Sequence, residues 1–168
     1  MINEPKNILI VRTDRIGDLV LTLPLAGLIK KHYPNSKVSI LVREYTKSIV
    51  NNHPFIDEVI VLKEVDRKTS LFDNMNLIKA KKFDICIVVH PKFILALIMF
   101  LSGIKNRIGS GYRWYSFLFN QKVYEHRKNS ERHELEYNVN LLEKLNIKND
   151  VTEANVSYNL IVSESGIK

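Results

Sequence analysis

Cysteine is almost missing from this chain. A single one, Cys86, occurs in 168 residues, so no disulfide can close within the chain and no paired-cysteine metal knuckle can form. The lone thiol lies inside an apolar run and reads as a small core residue suited to a reducing compartment. Long apolar runs are also missing. Phe93–Leu101 is the longest, well short of the roughly 20 residues a membrane-spanning helix needs, and it reads as a core helix ended by Gly103. The N-terminal apolar stretch follows Glu4 and Pro5 and is interrupted by Arg12, Asp14 and Arg15, which is not the pattern of a secretory signal. Glycine-rich phosphate loops are absent: no G-x-G-x-x-G follows the first strand and no G-x-x-x-x-G-K-[S/T] occurs anywhere, which argues against dinucleotide and P-loop folds. No group of His, Cys and carboxylate residues has the spacing of metal ligands. No internal repeat or low-complexity tract appears.

What is present suits a globular domain. Hydrophobic residues make up 45% and charged residues 26%, ordinary values for a chain long enough to bury a real core. The formal charge of +7 is unevenly spread. Between Lys105 and Arg132 seven basic residues face only Glu125 and Glu131. Such a segment is either a solvated basic face or a surface for an acidic partner: anionic lipid, phosphorylated glycan or nucleic acid. No recognisable nucleic-acid module accompanies it.

Strand and helix patterns alternate along the chain. Ile8–Val11, Lys37–Val42, Glu58–Leu62, Asp84–Val89 and Arg107–Gly109 read as strands, with Gln121–Glu125 a further extended piece. Helical patterns fall between them: a run after Asp18 broken near Pro24, Arg43–Asn51, Leu71–Lys82, Phe93–Leu101 and the amphipathic Ser130–Leu145, with an N-cap expected near Ser130 and His133. Lys63–Ser70 reads as a charged loop, and Ser110–Asn120 as an aromatic loop. The alternation predicts an α/β fold, a Rossmann-like parallel sheet flanked by helices. The domain is expected over 1–150, with 151–168 a linker or the start of an interdomain segment.

The stretch NILIVRTDRIGDLVLTLP, from Asn7 to Pro24, carries the candidate chemistry. A buried strand gives way to a polar loop, and Asp18 falls where a helix begins. In open α/β sheets that edge, outside the carboxyl ends of the strands, is where ligands bind. Asp18 there is either a base or a residue capping free helix N–H groups. Gly17 would let the backbone turn tightly and approach a ligand, or is a plain turn glycine. Thr13, Asp14 and Arg15 share the loop and should face the cleft. Arg15 could hold a carboxylate or phosphate through a bidentate contact, and Asp14 is a second possible base. His90, at the end of the fourth strand, reaches the same sheet edge, as a ligand contact or a polar strand cap. Arg107 and Arg113 could clamp anionic groups. Arg43 and Lys47 read as a solvated basic edge. The aromatic loop either closes the core or packs against a lipid-linked sugar or membrane.

This stretch also resembles the opening of the glycosyltransferase family 9 enzymes, the ADP-heptose:lipopolysaccharide heptosyltransferases. Other pieces agree in order: Tyr33-Pro34, Val38–Val42, NHPFIDEVI at Asn52–Ile60, FDICIVVH at Phe83–His90, NRIG at Asn106–Gly109 and HELEYNVNLLEKLNI at His133–Ile147. The resemblance implies the N-terminal, acceptor-side half of a two-domain GT-B glycosyltransferase, with the donor-binding C-terminal domain expected to be absent from this sequence. It implies metal-independent, inverting transfer of heptose from ADP-heptose to a lipid-linked anionic acceptor, with Asp18 as base, and no cofactor. It also implies a cytoplasmic protein, with peripheral contact at the inner membrane. A non-catalytic module that binds a glycan or a partner chain remains the alternative, and whether this chain is an active enzyme or half of one stays open.

Overall fold

The computed structural model describes residues 4–124, 134–148 and 157–160. Strand β1 (Asn7–Val11) lies at its centre. Ile8, Leu9, Ile10 and Val11 are all fully buried, as a strand covered on both faces must be. A short helix α1 (Ile16–Val20) follows, then α2 (Pro24–His32), β2 (Lys37–Val42), a 3-10 turn and α3 (Lys47–Val50), and β3 (Glu58–Val61). A hairpin of β4 (Glu64–Val65) and β5 (Lys68–Thr69) leads to α4 (Leu71–Ala80), β6 (Ile85–Val88), α5 (Phe93–Leu101), β7 (Asn106–Ser110) and β8 (Gln121–Val123). Helix α6 (Glu134–Asn140) runs into a 3-10 segment, Leu141–Leu145.

The main sheet has six strands in the order β3-β2-β1-β6-β7-β8, all pairing parallel. Alternate side chains feed two cores. Ile8, Ile10, Ile40 and Ile87 pack with Leu25, Ile29, Val139 and Leu142 on one face. Leu9, Val11, Leu41 and Val88 pack with Ile78, Leu95, Ile98 and Met99 on the other. This is a three-layer α/β/α domain, the Rossmann-like parallel sheet anticipated from the alternation. Each fully buried aliphatic side chain favours the fold by about 1.5–3 kcal/mol relative to exposure.

Pro24 acts as expected. It stands at the start of α2, where its missing N–H costs nothing, and the helical run breaks between Val20 and Pro24. Gly103, just past the end of α5, takes a left-handed φ of 77°. Two expectations need correcting. Lys63–Ser70 is a hairpin rather than a loop, its turn residues Asp66 and Arg67 both at positive φ (49° and 62°). Asn74, fully buried on α4, pins that hairpin: its amide accepts from the Lys63 N–H and donates to the Lys63 carbonyl, both at 2.8 Å. The last amphipathic run is not one α-helix, because it tightens to 3-10 at Leu141 and stops at Asn146, which is left-handed at φ 59°. The N-cap expected near Ser130 and His133 and the boundary near residue 150 lie outside the described residues.

Candidate active site at the reversal of strand order

Strand order reverses between β1 and β6, so the chain leaves these neighbours in opposite directions and a crevice opens at their carboxyl ends. Both strands continue pairing to the edge. The Arg12 N–H donates to the Leu41 carbonyl at 3.0 Å, and the Val89 N–H to the Val11 carbonyl at 3.1 Å. The loops Arg12–Arg15 and Val89–Lys92 therefore start at one level, on either side of the crevice.

Arg12 organises what lies there. Only 2% exposed, its guanidinium faces three carboxylates. Nε donates to Asp14 Oδ1 at 2.6 Å, Nη2 lies 3.3 Å from Asp18 Oδ1, and Nη1 lies 3.4 Å from Glu134 Oε1. Nη1 also reaches Asn138 Oδ1 at 3.5 Å, and Asn138 donates to the Leu21 carbonyl at 3.1 Å. A fixed, planar fork of donors is what one cation needs to serve several acceptors from three segments. His90 joins from the β6 side, its Nδ1 3.3 Å from Asp14 Oδ2. The Tyr45 hydroxyl, from beyond β2, donates to the Asp14 carbonyl.

The carboxylates differ in how they are held. The Asp14 side chain is 12% exposed and tied to both Arg12 and His90. That of Asp18 is 34% exposed and has one contact with Arg12, at 3.3 Å. Asp18 sits in the first turn of α1, but Arg15 holds the N-cap position and no side chain caps the helix. Asp18 is thus the carboxylate most open to an incoming molecule. A carboxylate so placed can accept a proton from a hydroxyl brought to the crevice. Among the described residues no group of three His, Cys, Asp or Glu could hold a metal ion.

The other predicted residues divide. His90 comes to the crevice as expected, and Arg15 lies exposed at its rim. Thr13 is 2% exposed, so it lies beneath the loop and presents almost no surface to a ligand. Gly17 is no tight turn: it lies within α1, without a positive φ, and a Cβ added there would meet nothing within 4 Å. Arg107 is not brought to the site. It lies toward the amino end of β7, the opposite edge, where Nε donates to the Leu118 carbonyl at 2.7 Å and Nη1 to the Ile104 carbonyl. Arg113, in the loop after β7, is exposed on the same side of the sheet as the site. Arg43 is engaged by Glu64 of the hairpin at 2.8 Å. In the aromatic loop Tyr115 and Phe119 close the core. The Tyr115 hydroxyl donates to the Pro91 carbonyl at 2.7 Å. Burial raises its pKa, opposed by the charge of Arg113.

Arg12 and Glu134 were missed by sequence reasoning. An arginine just past a strand reads as a surface residue, and Glu134 is 122 positions away from it in the chain. The one available signal was a cation followed by carboxylates at the second and sixth positions after it, immediately beyond a buried strand.

No protein-family model matches the chain. A glycosyltransferase-named protein of Haemophilus influenzae is 33% identical over 137 residues, covering 82% of this chain and 40% of that protein. Among solved structures, a glycosyl transferase family 9 protein of Veillonella parvula superposes with a TM-score of 0.75 at 22% identity, over 88% of this chain and 43% of its own. The ADP-heptose LPS heptosyltransferase II of Escherichia coli does so with a TM-score of 0.75 at 19% identity, over 95% and 47%. The chain spans less than half the length of each. Among the described residues no helix is long and apolar enough to cross a membrane. In sequence and in fold the chain is thus similar to about half of a glycosyltransferase, with the fold of the family 9 and heptosyltransferase structures.

Proposed function

We propose that this chain is the acceptor-side half of an inverting glycosyltransferase that moves heptose from ADP-heptose to an anionic, lipid-linked sugar of lipopolysaccharide on the cytoplasmic side of the inner membrane. The observation that carries the reading is Asp18: the most exposed carboxylate on the buried Arg12, at the crevice where strand order reverses. The acceptor hydroxyl enters over α1, and Asp18 takes its proton as the oxygen attacks the anomeric carbon. The new glycosidic bond forms as the bond from that carbon to the diphosphate oxygen breaks, and ADP leaves with the bonding pair. Arg12, buried and shared, fixes Asp14 and leaves Asp18 on one longer contact, so the carboxylate is aimed without being fully engaged. His90 and Arg15 line the two sides, where they can bind acceptor hydroxyls and anionic groups, and Arg113 stands beyond. In this reading the donor is bound by residues outside this chain.

In a protein carrying both halves, Asp18→Asn is expected to lower transfer by about 10²–10⁴-fold while acceptor binding is kept. Asp14→Asn should cost stability first. Transfer near the wild-type rate in Asp18→Asn removes the base role. Calorimetric titration of the 168-residue chain with ADP-heptose and with ADP tests the division of labour: binding of the sugar nucleotide would show a donor site in this chain alone, against the proposal.

A further inference from the structure

His53 is a buried titratable side chain that the proposed chemistry does not use. It lies in the turn between α3 and β3, where Asn51, Asn52 and Pro54 are exposed while it turns inward, 4% exposed. The backbone fixes this turn. Asn52 takes a left-handed φ of 62°, and His53 precedes a proline, which disfavours a helical backbone. The His53 N–H donates to the Val50 carbonyl at 3.2 Å, and its carbonyl accepts from the Ile56 N–H at 3.1 Å. Both ring nitrogens are engaged as well. The Phe55 N–H donates to Nδ1 at 3.3 Å, and Nε2 lies 3.1 Å from the Tyr158 carbonyl. A nitrogen that accepts carries no proton, so the ring proton sits on Nε2 and is donated to Tyr158. His53 is therefore held as a neutral imidazole. Phe55 is fixed in turn, because its ring packs against the core and over Gly27 of α2.

We propose that His53 is a pH-sensitive clasp, which holds residues 157–160 on the domain while its ring is neutral and releases them when the ring takes up a second proton. The segment has little else to hold it. Among the described residues its other hydrogen bonds are internal, between Ser157 and Asn159 at 3.2 and 3.4 Å, and Leu160 is exposed. A second proton must enter at Nδ1, where it meets the Phe55 N–H, donor against donor. It also places a cation where burial penalises charge. The charged groups on the elements around the ring are engaged with one another: Lys47 of α3 with Glu44, Lys30 of α2 with Asp57, and Glu58 of β3 with Lys37 and Lys81. Tyr158 is the titratable side chain on the segment itself. Burial lowers the pKa of His53 from its ordinary 6.5, opposed by the Tyr158 carbonyl. Docking is thus strongest above 6.5. As pH falls from there toward the lowered value it weakens, by at most about tenfold per pH unit. The inference rests on no part of the transferase reading and is tested without donor or acceptor.

The test is nuclear magnetic resonance of the 168-residue chain with isotope-labelled histidine and tyrosine, titrated from about pH 8 to about pH 5. His53→Gln assigns the His53 ring among the five histidines, and Tyr158→Phe assigns Tyr158 among the seven tyrosines. At neutral pH the ring nitrogen shifts are expected to show Nε2 protonated and Nδ1 bare. On acidification the Tyr158 signals are expected to move from a docked to a free position, with the midpoint of the His53 ring and below 6.5. His53→Phe keeps a ring and loses both hydrogen bonds, so Tyr158 should stand at the free position throughout. His53→Gln cannot titrate but its amide can still donate to the Tyr158 carbonyl, so Tyr158 should stay docked across the range. Circular dichroism establishes that each variant is folded, and the native titration with His53→Gln decides the matter without His53→Phe. A ring protonated on Nδ1 at neutral pH overturns the proposal, as does a His53 midpoint at or above 6.5. So do Tyr158 signals that ignore the titration of His53, or a release in folded His53→Gln that still follows pH.

Discussion

Replacing Arg12 by methionine keeps most of the side-chain volume and removes the guanidinium that Asp14, Asp18 and Glu134 share at the crevice. Three carboxylates then remain within reach of one another. Asp14 matters most, because its side chain is 12% exposed, while Asp18 and Glu134, at 34% and 29%, are partly solvated and count for less. Breaking a buried pair by removing one partner costs about 3–5 kcal/mol. With one carboxylate buried and two near the surface, we expect a loss at the lower end, about 3 kcal/mol, a large part of the roughly 5–15 kcal/mol that holds a domain together. Urea denaturation reads this as a fall in the midpoint with an unchanged slope. Arg12→Met with Asp14→Asn supplies the control: with the buried negative charge gone, the double variant should be more stable than Arg12→Met alone by about 1 kcal/mol or more, a coupling that distant sites do not show. A loss below about 1 kcal/mol in Arg12→Met, or strict additivity with Asp14→Asn, would refute the hub described here.

Four further outcomes are expected. A Cβ at Gly109 would stand 2.7–2.8 Å from ring atoms of the buried Phe119, so Gly109→Ala should lower stability by about 1–3 kcal/mol in the same assay. Gly17→Ala, in open helix, should raise it by about 0.4–1 kcal/mol, and a fall in acceptor binding in that more stable variant would show a ligand passing close to Gly17. Burial pushes the Cys86 thiol up to about 12, so a thiol reagent at neutral pH should label it only as fast as the protein unfolds, and rapid labelling of the folded chain would contradict its packing. The Glu58 carboxyl is held below its ordinary value of 4.5, chiefly by hydrogen bonds from Lys37 and Lys81. That stabilisation is present above 4.5 and fades as pH falls through the lowered value, so Glu58→Gln should flatten the acid limb of stability against pH.

The sheet was legible because strands buried on both faces need apolar residues on both: β1 and β6 show as apolar runs, β2 alternates and then runs apolar, and helical patterns fall between them. The hairpin after β3 was not legible. Its strands have two residues each, and its left-handed turn is built on Asp66-Arg67, without the glycine that usually marks such a turn. Half of the site was readable, since Asp18, Asp14 and His90 lie next to strand ends. Arg12 was not, because its burial depends on Glu134 and Asn138 folding back from the far end of the chain. Arg107 misled for the converse reason: arginine beside a strand suggests a ligand clamp, yet this one satisfies carbonyls at the opposite edge.

The tie between Arg12 and α6 has a consequence for biogenesis. Arg12 meets Glu134 and Asn138 across 122 and 126 positions, and Tyr33 donates to the Leu145 carbonyl across 112. Contacts of such sequence separation form late, after the local pairings that shorten the loop between them. On the ribosome, strands β1, β2 and β6 can assemble while the guanidinium beneath the crevice still lacks two of its partners. The cluster at the crevice is therefore completed only when the last described helix has emerged, and a nascent chain halted before residue 134 would carry a sheet without a finished Arg12 cluster.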